Sequence, residues 1–220
     1  MPDVRAPDAI LFDLDGTLVD TVPARIDAWA AVFEELDVTV TRSQLEPMIG
    51  MDGRQLARDV ASGAGRRLTD EEAEAIDRRS GELFDERNRD PKPLPGAREL
   101  LRTLDARRLT WAIATSSRRE QVTASIGALG LDREPRIVDG SHVERAKPAP
   151  DLLLLGAREL GVPPEACWYV GDSTWDMRAA SAAGMVAIGV LAGAAVDEVA
   201  LRDAGATLVV PTLGDLGLPG

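Results

Sequence analysis

Short, uninterrupted apolar runs recur along the chain, and most end at a polar or glycine-bearing turn. The first is Ala9–Phe12; others cover residues 109–114, 136–138, 167–170, 186–190 and 208–210. Runs of this length without polar alternation read as strands buried on both faces. Between most of them lie segments of helical length and period, such as Ala97–Arg107 and Asp151–Leu160. Strands alternating with helices predict βαβ units and a parallel sheet covered on both sides, an α/β core of Rossmann-like form.

One stretch breaks the rhythm. From about Val22 to Lys92 no strand pattern occurs, and Ile26, Trp29, Ala30, Phe33 and Leu36 fall on one helical face. Thr69-Asp70-Glu71-Glu72 has the capping-box pattern and precedes a stripe of Ala73, Ile76 and Leu83. The exit, Pro91-Lys92-Pro93-Leu94-Pro95-Gly96, cannot continue a helix. The pattern predicts a small all-helical domain over residues 22–92, inserted after the first strand of a core built from 1–21 and 93–220. Gly-Ala-Arg-Glu-Leu occurs at 96–100 and again at 156–160, but the flanks differ and no structural repeat is inferred.

Composition narrows the function. The 220 residues suffice for one domain carrying a smaller insert, and the formal charge of −12 disfavours nucleic acid and anionic membrane as partners. Cys167 and His142 are the single cysteine and histidine, so no disulfide framework, thiolate zinc site or multi-histidine site can be assembled. A Ser-His-Asp triad would have to run through His142 alone. The start lacks the basic and apolar regions of a signal peptide. The uncharged stretch 179–196, mostly Ala and Gly, reads as a helix end, a buried strand and a loop, not a membrane span. A cytoplasmic address and a monomer or weak homodimer are the expectations.

Four places carry candidate chemistry. Asp13-Leu14-Asp15-Gly16-Thr17 follows the first strand and puts two carboxylates about 6 to 7 Å apart along the chain. Gly16 permits the tight turn and close backbone approach an anionic ligand requires. A solvated turn or a calcium loop are the plain readings, but Leu18 and Val19 do not continue a calcium loop. Thr115-Ser116-Ser117 ends the second run, where hydroxyls and free N–H groups suit phosphate oxygens or merely cap a helix. Lys147 is one of only two lysines among 25 basic residues; the other, Lys92, reads as linker solvation. Gly171-Asp172-Ser173-Thr174-Trp175-Asp176 supplies two more carboxylates, of which Asp176 could simply charge a helix start. If these loops share one sheet edge, Asp13, Asp15, Asp172 and Asp176 converge, and one lysine cannot balance them. The site then demands a divalent cation, and an all-oxygen shell points to Mg²⁺.

In this order and spacing, Asp13-x-Asp15-Gly16-Thr17, Thr115, Lys147 and Gly171-Asp172-x-x-x-Asp176 resemble the haloacid dehalogenase superfamily, over nearly the whole chain. The helical insert is similar to the cap of its phosphoglycolate phosphatase and β-phosphoglucomutase branch. The resemblance implies that Asp13 is the nucleophile that forms an aspartyl-phosphate, and that Asp15 first protonates the leaving alcohol and then activates water. It implies that Thr115 and Lys147 hold the phosphoryl oxygens; Ser116, adjacent to Thr115, is a candidate to donate its N–H there. Asp172, the Asp13 carboxylate and the Asp15 carbonyl would bind Mg²⁺, with Asp176 in support. Dehalogenases of the superfamily lack an aspartate two positions after the nucleophile, and the mutases carry a histidine twelve positions after it, where this chain has Arg25. Both departures favour a phosphatase acting on a small phosphorylated metabolite; a sugar-phosphate mutase and a phospho-accepting binding or signalling protein are the alternatives. Met48-Ile49-Gly50-Met51-Asp52-Gly53-Arg54 reads as the loop that reaches into the site. Arg25 and Arg54 are candidates for a second anionic group of the substrate, surface ion pairing being the plainer reading. A local positive patch is expected at the cleft, to offset the overall charge. Trp175 is read either as packing beneath the metal loop or as lining the cleft.

Overall fold

The structure is a computed structural model that describes residues 5–139 and 143–218. His142, and with it any triad through that residue, lies outside the described residues.

The core is a six-stranded sheet: β1 (Ala9–Phe12), β2 (Thr110–Thr115), β3 (Ile137–Asp139), β4 (Cys167–Gly171), β5 (Val186–Val190) and β6 (Leu208–Val210). All pairs are parallel and the spatial order is β3-β2-β1-β4-β5-β6. Each strand matches an apolar run within a residue or two, because the sheet is buried on both faces. Ile10 and Phe12 point into one cluster with Leu100 and Leu104 of α5 (Ala97–Arg107), while Ala9 and Leu11 point into another. That second cluster is closed by Leu152 and Leu153 of α7 (Asp151–Leu160) and Met177 and Ala180 of α8 (Thr174–Ala183). The shorter α6 (Thr123–Leu129) and α9 (Glu198–Asp203) complete the layers. Gly96 caps the start of α5, whereas 156–160 is the second half of α7, so the repeated pentapeptide serves two different places.

The chain leaves the core after β1 and builds four helices, α1 (Val22–Glu35), α2 (Arg42–Leu45), α3 (Gly53–Gly63) and α4 (Asp70–Arg87). They share a hydrophobic cluster of their own, including Ile26, Trp29, Phe33, Leu56, Ile76 and Phe84. Trp29 and Phe33 stack at 5.8 Å. Thr69 caps α4 as its pattern predicts, accepting from Glu72 N–H while Glu72 accepts from Thr69 N–H. The outgoing and returning connections run side by side: Asp20 N–H donates to Lys92 O and Leu94 N–H to Leu18 O. Among the described residues no helix is long and apolar enough to cross a membrane.

This topology puts the ends of β1, β2 and β4 next to one another. The order reverses at β1, and the crevice outside such a reversal is where open α/β sheets hold ligands. The helical insert lies over it.

Candidate active site

Phe12 pairs with Ile113 on one side and Val170 on the other, so the next residue, Asp13, emerges at the carboxyl edge between β2 and β4. Its N–H still donates to Val170 O. Lys147, almost fully buried, donates to Asp13 Oδ1 at 2.7 Å and to Asp176 Oδ1 at 2.6 Å. Asp176 sits in the first turn of α8. Ser173 caps that helix, and its N–H and Oγ both donate to Asp176 Oδ2. The Tyr169 hydroxyl adds a contact to Asp176 Oδ1 at 3.1 Å. Asp172 is fixed by Thr17 Oγ1, which donates to its Oδ1 at 2.9 Å across the mouth of the sheet. Gly16 explains how the first turn comes so close. At φ +79° it takes the left-handed conformation, and a Cβ there would stand 2.3 Å from Asp172 Oδ2.

Asp13, Asp172 and Asp176 each offer a carboxylate oxygen, all within 4.8 Å of one another. Burial, helped by Asp176 and Asp15, pushes Asp13 up to about 7 against the pull of Lys147, and burial together with Asp176 and Asp13 raises Asp172 well above the carboxylate range. Asp13 and Asp176 in turn hold the Lys147 ammonium charged despite its burial. One ammonium therefore does not neutralise three buried carboxylates, and the surplus suits a small, hard divalent cation. The expected convergence of four carboxylates needs a correction. The Asp15 side chain turns away from the other three, because Thr21 Oγ1 donates to its Oδ1 at 2.7 Å and Ser117 Oγ to its Oδ2. Arg25 completes this second station, 3.4 Å from Asp15 Oδ2 and 3.0 Å from Ser117 Oγ, with its guanidinium lying on the Phe84 ring.

Thr115 is buried at the end of β2, and its Oγ1 accepts from Ser117 N–H. The neighbouring Ser116 Oγ is buried without a partner. Thr115, Ser116, Lys147, Asp13 and Asp15 all line one cleft of about 710 Å³ between the core and the insert. The insert contributes Trp29, Ile49, Gly50, Asp77 and Ser80 to its other wall. Arg54 also lines the cleft but pairs with Asp52 at 3.0 Å, and both arginine candidates thus hold carboxylates of the protein itself. Carboxylates outnumber cations along the lining, so the expected positive patch is not there. Of the two roles anticipated for Trp175 the structure supports the lining one: it borders a smaller recess that adjoins the cleft, with Met51, Arg54 and Lys147. It is half-buried at the seam of core and insert and donates from Nε1 to Pro47 O at 3.1 Å. Sequence reasoning gave no role to Thr17, Thr21, Tyr169 or Ser173, and it read Ser117 as a phosphate-oxygen or capping hydroxyl and not as the partner of Asp15. Ser173-x-x-Asp176 does carry a capping-box signature, but the others show themselves only through contacts made in the folded chain, from Thr21 on nearby Asp15 to Thr17 on remote Asp172.

A family model described as haloacid dehalogenase-like hydrolase matches residues 10–190. The chain belongs to this family. Among curated relatives it is 30% identical to a β-phosphoglucomutase of Bacillus subtilis, over 96% of this chain and 92% of that one. It is 31% identical to a fructose-1-phosphate phosphatase of Escherichia coli, over 82% and 95%. A 31% match to the chloroplastic protein Suppressor of Quenching 1 of Arabidopsis thaliana spans 96% of this chain but 20% of that longer one. The crystal structure of a hydrolase from Pseudomonas syringae superposes with a TM-score of 0.89 at 34% identity, covering 96% of this chain and 95% of that one. The chain is thus an enzyme of the haloacid dehalogenase-like hydrolases, with phosphatases among its relatives.

Proposed function

We propose that this hydrolase is a Mg²⁺-dependent phosphatase that cleaves a small phosphate monoester through an aspartyl-phosphate on Asp13, with residues 22–92 acting as the cap. One observation carries the reading: two carboxylates from one turn serve two separate stations. Asp13 sits in the buried cluster on Lys147, while Asp15 is tied to Thr21, Ser117 and Arg25 on the cleft side. A nucleophile and a proton carrier need that separation, since a lone metal site would draw both inward.

The fit to a divalent cation rests on the surplus of buried carboxylate and on the cradle at Gly16, which a side chain would fill. Asp13 and Asp172, with the Asp15 carbonyl, would hold Mg²⁺, and Asp176 would support them by fixing Lys147. When bound, the cation supplies positive charge that offsets the repulsion between an anionic nucleophile and an anionic ester. Lys147 adds an ammonium beside Asp13, and Thr115 and Ser116 offer hydroxyl and N–H donors where phosphoryl oxygens would lie. An Asp13 carboxylate oxygen attacks phosphorus, the bond from phosphorus to the ester oxygen breaks, and Asp15 gives its proton to the leaving alcohol. Water then attacks the aspartyl-phosphate, its proton passes to Asp15, and phosphate leaves as the Asp13–phosphorus bond breaks. Arg25, where the mutases have histidine, occupies the space beside Asp15 and favours hydrolysis over transfer to a second sugar.

The test is phosphate release from a panel of small esters with Mg²⁺ or EDTA, for the wild type and for Asp13→Asn. Release that needs Mg²⁺ and falls by at least about 10³-fold in the variant is expected. Equal activity in the variant would remove Asp13 from the chemistry, and conversion of one sugar phosphate to its isomer without phosphate release would establish a mutase.

A further inference from the structure

The wall of the cleft opposite Asp13 contains a hydroxyl that the fold does not use. Ser80 is 1% exposed, sits within α4, lines the cleft, and its Oγ has no hydrogen-bond partner. A buried hydroxyl left unpaired costs about 1–3 kcal/mol, and serine is a mediocre residue in the middle of a helix. Alanine would serve the fold better, so the hydroxyl points to a ligand.

Its neighbours have the same character. Asp77, one turn earlier on α4, also lines the cleft; its Oδ2 accepts from Arg118 at 3.0 Å. Its Oδ1 lies against Gly53, where a Cβ would come within 1.9 Å of it. Gly81, next to Ser80, faces the Gln121 amide, whose Nε2 would stand 2.1 Å from a Cβ at that position. The Gln121 Oε1 accepts from Arg118 N–H, which leaves its NH₂ group on the Gly81 side. Trp29 provides an apolar face in the same lining. A carboxylate, a hydroxyl and a carboxamide beside an aromatic ring can exchange hydrogen bonds with hydroxyl groups while packing against C–H faces.

Charge excludes the main competitor, an ester whose alcohol part carries a carboxylate. The insert wall holds Asp52, Glu74 and Asp77, and each arginine of the lining is already committed. Arg25 is held by Asp15, Arg54 by Asp52, Arg118 by Glu74 and Asp77, and Arg119 by Glu134. A carboxylate entering here would meet like charge and no uncommitted guanidinium.

We propose that Ser80 and Asp77 form a leaving-group subsite for hydroxyls, and that the substrate is the phosphate ester of a sugar or polyol rather than of a hydroxy acid. The inference rests on the phosphatase reading above. It is tested by kcat/KM on a hexitol phosphate, phosphoglycolate and p-nitrophenyl phosphate, for the wild type and Ser80→Ala. The variant removes one unbonded oxygen, so a matching far-UV spectrum and an equal or higher Tm are expected. The wild type should prefer the hexitol phosphate to phosphoglycolate. Its preference for the hexitol phosphate over p-nitrophenyl phosphate should shrink about tenfold in Ser80→Ala, the cost of one lost hydrogen bond. Preference for phosphoglycolate, or an unchanged ratio in the variant, overturns the subsite while the phosphatase stands. If none of the three esters is cleaved, p-nitrophenyl phosphate included, the phosphatase reading falls and the subsite with it.

Discussion

At Asp13 and Asp172 the protein holds carboxylates where burial favours their neutral form, and the sign of that effect can be followed. A carboxyl whose folded pKa lies above its unfolded value stabilises the fold at pH values below the unfolded one. That contribution is lost as pH rises toward the folded pKa, about 7 for Asp13. A divalent cation takes the deprotonated form, so it restores most where the loss is greatest. Saturating Mg²⁺ is therefore expected to raise the Tm more at pH 8 than at pH 5.5, by at least about 3 °C, since each kcal/mol moves a chain of this size by roughly 2–4 °C. Calorimetry at both pH values checks it, and equal shifts would show that the cation does not engage these carboxylates. The cluster was legible in the sequence because strand ends place their next residues predictably, and Asp13 and Asp172 stand at such ends, while Lys147, in the turn before α7, is marked by the scarcity of lysine. Thr21 and Ser80 have no such marker. A hydroxyl carries no periodic signal, and its partner is known only when distant segments meet. The same limitation misplaced the Asp15 side chain, whose direction is decided by Thr21 and Ser117 and not by its spacing from Asp13.

Among the elements, strands and helices of the core follow the hydrophobic pattern closely because two packed layers bury β1 completely. The seam between core and insert is different. It depends on Arg118 reaching Glu74 and Asp77 on α4, on Trp175 reaching Pro47, and on Gly50 settling against Ser173, none of which a periodicity reveals. Gly50 has φ +92°, and a Cβ there would lie 2.7 Å from Ser173 Oγ. Ser173 in turn holds Asp176, and Asp176 holds Lys147. In Gly50→Ala the loop must back away or press on that chain of contacts. We expect kcat/KM to fall by at least about tenfold, as displacement of a positioned group does. The strained backbone should cost only about 1–2 kcal/mol of stability. Gly63→Ala is the matched control, at the end of α3 with ordinary backbone and nothing within 4 Å. It should keep full activity and gain up to roughly 1 kcal/mol. Equal activity in the two variants would show that the seam does not govern the site.

On the scale of the whole molecule, the net charge of −12 and a cleft lined by more carboxylates than cations act together. A phosphate ester approaches against repulsion, and the positive charge that would receive it lies deep, at Lys147. Salt screens the long-range repulsion more than the short contacts made once the ester is bound. The rate of encounter should therefore rise with ionic strength, the opposite of a site that steers its ligand in. With Mg²⁺ held at saturation, kcat/KM for a dianionic ester is expected to increase about two- to fivefold as KCl is raised from roughly 20 to 150 mM. The change should sit in KM, with kcat nearly constant. Repeating the series with tetramethylammonium chloride separates screening from binding of potassium at the carboxylates, because screening depends only on ionic strength. A fall in kcat/KM with both salts would mean that a local positive potential guides the ester, and that the buried cation and Lys147 dominate the field at the cleft mouth despite the acidic surface around them.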